Sequence, residues 1–173
     1  MQENKIETHP FKPFIPPGTQ YLIIGSFPGK GQTVDVNSDH WFYGAKRNTF
    51  WKILEGVYDI SLKDKKSKQE LFVKTKMGIA DIILKAVRKS NTNSDTNLQI
   101  IELNDISIGK IIESENLTTI FFTSKFVEKI FKKIFPQITN TIVLPSPSPR
   151  FARMSLQEKI NIYKKHLPML INE

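Results

Sequence analysis

The 173-residue chain contains no cysteine and no long apolar run. Without cysteine there are no disulfides, no thiolate nucleophile, no Cys-type zinc site and no iron–sulfur cluster. A membrane-spanning helix needs ~18 consecutive apolar residues, and no segment approaches that length. Met1 to His9 is polar and lacks the apolar core of a signal peptide, so a cytoplasmic protein is expected. Acidic residues are the minority charge, with 17 Asp and Glu against 25 Lys and Arg, which gives a formal net charge of +8. A basic protein of this size is a candidate for binding polyanions, and duplex DNA is the commonest such partner. A generally lysine-rich composition produces the same balance, and Lys63, Lys65, Lys66 and Lys68 read as a solvated run of that kind. The length fits one domain, residues 1–173, with a substantial core.

What is present is a pair of motifs at the ends of two apolar runs. Tyr21-Leu22-Ile23-Ile24 breaks into Gly25-Ser26-Phe27-Pro28-Gly29, and Thr141-Ile142-Val143-Leu144 breaks into Pro145-Ser146-Pro147-Ser148-Pro149. A β-branched run that stops abruptly in Gly, Ser and Pro reads as a parallel strand ending in a loop. Ligands of open α/β sheets bind at those carboxyl ends. Between the two lies Trp41-Phe42-Tyr43-Gly44-Ala45-Lys46-Arg47-Asn48-Thr49-Phe50-Trp51, dense in aromatic and polar groups. Lys46-Arg47, Arg150 and Arg153 place cations beside these loops. A phosphate loop at Gly25–Gly31 fails on spacing, because three residues separate Gly25 from Gly29 and no Ser or Thr follows Lys30.

The remaining elements alternate. Residues 1–19 read as an irregular arm, since His9-Pro10, Pro13 and Pro16-Pro17-Gly18 oppose both helix and central strand. Strands are expected at Tyr21–Gly25, Leu117–Thr123 and Thr141–Leu144. Helices are expected at Thr49–Val57, near Gln69–Lys74, from Asn104-Asp105 to about Asn116, and at Lys125–Phe135 capped by Ser124. Met77–Val87 reads as a short strand passing into a helix, and Ser90–Asn97 as a polar loop. Ser155-Leu156-Gln157-Glu158 is a capping box that opens a last helix with Leu156, Ile160, Tyr163 and Leu167 inward. Strands alternating with helices imply a three-layer α/β/α sandwich around a mainly parallel, roughly four-stranded sheet.

The order strand–GSFPG, FYGxxxNxFW, strand–LPSPSP resembles the uracil-DNA glycosylase superfamily, and within it the cysteine-free mismatch-specific and deoxyinosine-type branches. The resemblance runs from about Tyr21 to Leu167. It implies a monofunctional DNA glycosylase that hydrolyses the N-glycosidic bond of a deaminated base, uracil or hypoxanthine, flipped out of double- or single-stranded DNA. No metal or cofactor is implied, and a monomer is expected. The alternatives are a nucleic-acid-binding module that kept the fold without the activity, and an enzyme acting on free nucleosides.

Residue by residue, the resemblance implies that Gly25, Ser26, Phe27, Pro28 and Gly29 line the base and sugar. Phe27 stands where these families often carry the Asn or Asp that handles water, and a phenyl ring can neither orient nor deprotonate water. Tyr43 corresponds to the aromatic that stacks on the flipped base, and Asn48 to the catalytic Asn of the deoxyinosine branch. Asn48 is equally placed to cap the helix that follows it. Phe50 and Trp51 read as core. Asp81 falls where some branches contact the base, and also reads as a helix cap. Ser146, Pro147, Ser148, Arg150, Phe151 and Arg153 are the DNA-gripping loop. Some branches place a His at the position of Leu144 to stabilise the departing base, which Leu144 cannot do.

Overall fold

The computed structural model describes residues 5–34 and 38–171. Its strands are β1 (Ile6–Thr8), β2 (Tyr21–Gly25), β3 (Met77–Asp81), β4 (Ile83–Arg88), β5 (Leu98–Leu103), β6 (Thr119–Phe122) and β7 (Thr141–Val143). Its helices are α1 (Lys30–Val34), α2 (Phe50–Tyr58), α3 (Lys65–Thr75), α4 (Asp105–Ser114), α5 (Lys125–Ile134) and α6 (Leu156–His166).

Strands β3, β2, β6 and β7 form an all-parallel sheet in that order. Such a sheet is buried on both faces, which is why its strands are near-continuous apolar runs. Successive side chains point to opposite faces. Ile23, Ile79 and Phe121 enter one core cluster with Phe50, Leu54 and Phe72, while Leu22, Ile24, Ala80, Ile120 and Phe122 enter a second with Ile108, Val127 and Phe131. Helices α2, α3 and α6 cover the first face, and α4 and α5 the second. Helix α2 meets α6 so closely at Gly56 that a Cβ there would sit 2.5 Å from Ile160 Cδ1. The caps follow local chemistry: the Ser124 and Ser155 side chains each accept the third backbone N–H of the helix that follows, and Glu158 returns a bond to the Ser155 amide.

Several expectations are corrected. Met77–Val87 is two strands, not a strand passing into a helix. The chain turns at Ile82, and β4 joins a second, antiparallel sheet of order β1-β4-β5. The β-branched Ile83 and Val87 of β4 are buried, and its backbone is paired on both edges, by β1 and by β5, which a helix could not be. The arm is not wholly irregular. Its residues 1–4 lie outside the described residues, but β1 pairs with β4 before the prolines begin, and Phe14 bridges to Ile79. Helix α3 starts at Lys65, four residues before Gln69, because Asp64 and Ser67 form a capping box. Leu156 is 41% exposed, and Lys159 takes the inward place instead.

Arg88 fastens the second sheet to the first. Its Nε donates to Glu7 Oε2 at 2.8 Å, a second nitrogen donates to the Pro28 carbonyl at 2.9 Å, and its guanidinium lies over the Phe27 ring. Both charged side chains of the Arg88–Glu7 pair are under a tenth exposed. Removing one partner of such a buried pair strands the other charge. Arg88→Met should lower the unfolding free energy by about 3 kcal/mol, and adding Glu7→Gln should recover part of that loss. Urea denaturation of the two variants measures both effects.

Candidate active site

Strand order reverses at β2, with β3 on one side and β6 on the other. The crevice above such a switch point is where ligands of open α/β sheets bind. Gly25, the last residue of β2, pairs with Asp81, the last of β3. Thr123 follows β6 and donates its N–H to the Ile24 carbonyl at 3.2 Å. A Cβ on Gly25 would lie 2.3 Å from Tyr43 Oη and 2.4 Å from Asp81 Oδ1, so the two oxygens occupy the space a side chain would need.

Tyr43 reaches this point from a left-handed backbone, with φ of +55°. Its ring stacks on Phe50 at 4.0 Å and 20°, and its hydroxyl pairs with Thr123 Oγ1 at 2.9 Å. Burial, then the charge of Asp81, raises the hydroxyl pKa well above its ordinary value, so Tyr43 remains a phenol. Phe50 is therefore both core and the backing of the Tyr43 ring.

Asp81 is the end of a strand, not a helix cap, and is 6% exposed. Its Oδ2 accepts His9 Nε2–H at 2.7 Å, and its backbone carbonyl accepts Asn104 Nδ2 at 3.0 Å. Its Oδ1 takes no hydrogen bond from any described residue. Ser26 Oγ donates to Asp95 Oδ1 at 2.7 Å. Burial raises the Asp95 carboxyl pKa, the Ser26 bond opposes that shift, and the negative Asp81 adds to it. Phe27 packs edge-on against His9 at 5.9 Å and opposes Arg88 at 5.7 Å.

Asn48 Oδ1 accepts the Phe50 N–H at 2.9 Å, an Asx turn that leads into α2, while Thr49 is the N-cap and makes no side-chain cap bond. Thr49 donates both its N–H, at 3.0 Å, and its hydroxyl, at 2.9 Å, to the Pro147 carbonyl. The segment carrying Asn48 is thus joined to the Ser/Pro loop.

That loop is held a second time by Tyr163 Oη, which donates to the Pro145 carbonyl at 2.7 Å. Ser146 Oγ accepts the Ser148 N–H, and Ser148 Oγ accepts the Arg150 N–H. Each hydroxyl still has its own proton to donate. Arg150 and Arg153 are exposed, and Phe151 is half-buried with Arg153 at 5.7 Å and Lys159 at 5.4 Å from its ring. Lys159 is nearly buried, and burial lowers its pKa. Among the described residues no group of three or more His, Asp or Glu side chains is arranged to hold a metal ion, and no helix is long and apolar enough to cross a membrane. His9, Thr123 and Lys159 escaped the sequence reading. The partner of His9 is 72 residues away, and no local pattern announces it.

A sequence profile of the uracil DNA glycosylase superfamily matches residues 12–167. The chain belongs to that superfamily. It is 31% identical over 118 residues, 66% of this chain and 70% of the other, to a protein named hypoxanthine DNA glycosylase from Methanosarcina barkeri (strain Fusaro / DSM 804). The fold is similar to a solution NMR structure from Methanosarcina acetivorans of a protein provisionally named uracil DNA glycosylase. The TM-score is 0.71 at 20% identity, over 93% of this chain and 98% of that one. The enzyme is a DNA glycosylase.

The Asp95 carboxyl makes the stability of this glycosylase depend on pH. Its folded-state pKa lies above the unfolded value. Its contribution is therefore whole below the ordinary Asp pKa of about 3.9 and is lost as pH rises through the raised folded value. Asp95→Asn keeps an acceptor for Ser26 and removes the charge. It should raise the melting temperature at pH 7, and the gain should shrink toward pH 4. Calorimetry across that range is the measurement.

Proposed function

We propose that this glycosylase excises deaminated bases, hypoxanthine or uracil, flipped from DNA into the crevice above Gly25. The observation that carries the reading is Asp81 Oδ1, a carboxylate oxygen without a donor among the described residues, set beside Tyr43 Oη at the carboxyl ends of β2 and β3. Hypoxanthine and uracil each present a ring N–H where their parent bases, adenine and cytosine, present a lone pair. A fixed carboxylate oxygen accepts the former and repels the latter, so one group supplies both attraction and rejection. The name of the Methanosarcina barkeri relative supports hypoxanthine in particular.

The chemistry asks little else of the protein. The glycosidic bond breaks through an oxocarbenium-like sugar, and the base leaves with its electrons. A neutral amide that positions water then suffices, and Asn48 fills that role in place of Phe27. Its Oδ1 fixes the side chain against the start of α2 while the amide as a whole lies next to the clamp on Pro147. Tyr43 supplies the stacking face, backed by Phe50, and stacking is worth ~1–3 kcal/mol per base. Pro28 and Gly29 let the loop backbone approach the sugar. Leu144 is buried and apolar, so stabilisation of the leaving base falls to backbone N–H groups. Ser146, Ser148 and Arg150 hold phosphates on a loop stiffened by its prolines and by Thr49 and Tyr163, while Phe151 enters the stack.

Two measurements test this reading. Asn48→Ala should slow single-turnover excision from a hypoxanthine-containing oligonucleotide by about 10²-fold, with Asn48→Asp less impaired. Loss of the bond to the Phe50 N–H should also cost about 1 kcal/mol of stability, so melting is recorded alongside. An Asn48→Ala enzyme at the wild-type rate would leave Asn48 only its structural bond. Phe151→Ala should impair excision from duplex far more than from single strands, where no stack must be opened. Equal loss on both substrates would rule the wedge out.

A further inference from the structure

We infer that His9 is a positioning residue of the active site, which holds the Asp81 carboxylate so that Oδ1 faces the flipped base. The inference rests on the reading of Asp81 given above, and it makes the amino-terminal arm part of the catalytic apparatus. His9 Nδ1 accepts the Phe11 N–H at 3.0 Å, so that nitrogen carries no proton. The ring proton is therefore on Nε2, which donates to Asp81 Oδ2 at 2.7 Å. One oxygen of the carboxylate is spoken for, and the plane of the group is fixed. The other oxygen is left as an acceptor over Gly25, beside Tyr43 Oη.

The surroundings are built to hold the ring in that tautomer and orientation. Phe11, Phe27 and Phe42 lie 5.8, 5.9 and 5.5 Å from the imidazole centroid. The His9 N–H donates to the Leu84 carbonyl at 2.8 Å, and the Glu7–Arg88 pair fastens the strand just before it. Phe27 thereby acquires a purpose at a position where the related families often handle water. It seals the imidazole edge while Arg88 lies over the same Phe27 ring. A buried carboxylate with no donor and a freely turning plane would present either oxygen, or neither, to the base. The pair removes that freedom before the base arrives, which is the kind of preorganisation that oriented acceptors require.

The two ring nitrogens can be tested separately. His9→Asn keeps an acceptor for the Phe11 N–H and loses the reach to Asp81, while His9→Gln keeps a donor at the distance of Nε2. Single-turnover excision is measured on duplexes carrying hypoxanthine opposite thymine or uracil opposite guanine, with binding to undamaged duplex and thermal melting as controls. His9→Asn should slow excision by about 10- to 100-fold, the range for losing a buried hydrogen bond to a charged group. His9→Gln should recover most of that loss. In an Asp81→Asn background, His9→Asn should add little further loss, because His9 acts through Asp81. The inference is overturned if the losses at His9 and Asp81 multiply, or if His9→Gln is as slow as His9→Asn at an unchanged melting temperature. A wild-type enzyme that leaves both bases in place would instead overturn the substrate reading. Full activity of Asp81→Asn would remove Asp81 from base recognition, and His9 with it.

Discussion

At the carboxyl end of β2 there is room for two oxygens and no carbon. Tyr43 Oη and Asp81 Oδ1 both fill the volume above Gly25, and the parallel register that sets Gly25 opposite Asp81 brings them there. Thr123, one residue beyond β6, shares a hydrogen bond with the Tyr43 hydroxyl from the other side. The stacking ring, the acceptor and the strand ends thus share one point. Whatever fixes any of them fixes the geometry that the proposed function offers to a base.

The loops around that point are tied down by hydrogen bonds from the elements that surround them. Pro28 is held by Arg88, Ser26 by Asp95, Pro147 by Thr49 and Pro145 by Tyr163. Each tie ends on a backbone carbonyl or a carboxylate, groups that burial would otherwise leave unsatisfied at a cost of 1–3 kcal/mol or so each. Catalysis on a flipped nucleotide depends on such stiffness, since the energy of unstacking must be met by contacts already in place. The second, antiparallel sheet contributes to this by carrying both Arg88 and β1, the strand that leads to His9.

The departure at Phe27 changes the division of labour without emptying the site. A phenyl ring in the first loop cannot manage water, and here it packs against His9 and under Arg88. Under the proposed function, water handling passes to the segment at Asn48, and selection of the base to the strand end at Asp81. Phe27 gives the first loop an apolar wall, and such a wall strengthens the electrostatics of the few charged groups beside it.

Much of the fold was legible because its signals are local. Apolar β-branched runs ending in Gly and Pro marked β2 and β7, amphipathic spacing marked α2 and α5, and the Ser124 and Ser155 caps marked two helix starts within one or two residues. The motif order was enough to indicate the superfamily, because loops at strand ends carry the chemistry and their composition is read directly. Apart from the start of α3, which the local Asp64–Ser67 capping box sets, the failures share one cause. Whether Ile83–Arg88 becomes helix or strand depends on edges offered by β1 and β5, and whether Leu156 or Lys159 turns inward depends on what packs against α6; neither is written in the segment itself. The pairing of His9 with Asp81 spans 72 residues, and only the folded sheet brings the two within 2.7 Å. By itself the sequence determined β2, β6 and β7, the Ser124 and Ser155 caps and the Gly-, Ser- and Pro-rich loops at the strand ends, through nearest-neighbour chemistry. Tertiary structure alone decided which buried polar groups meet, because that choice belongs to the packing of distant elements.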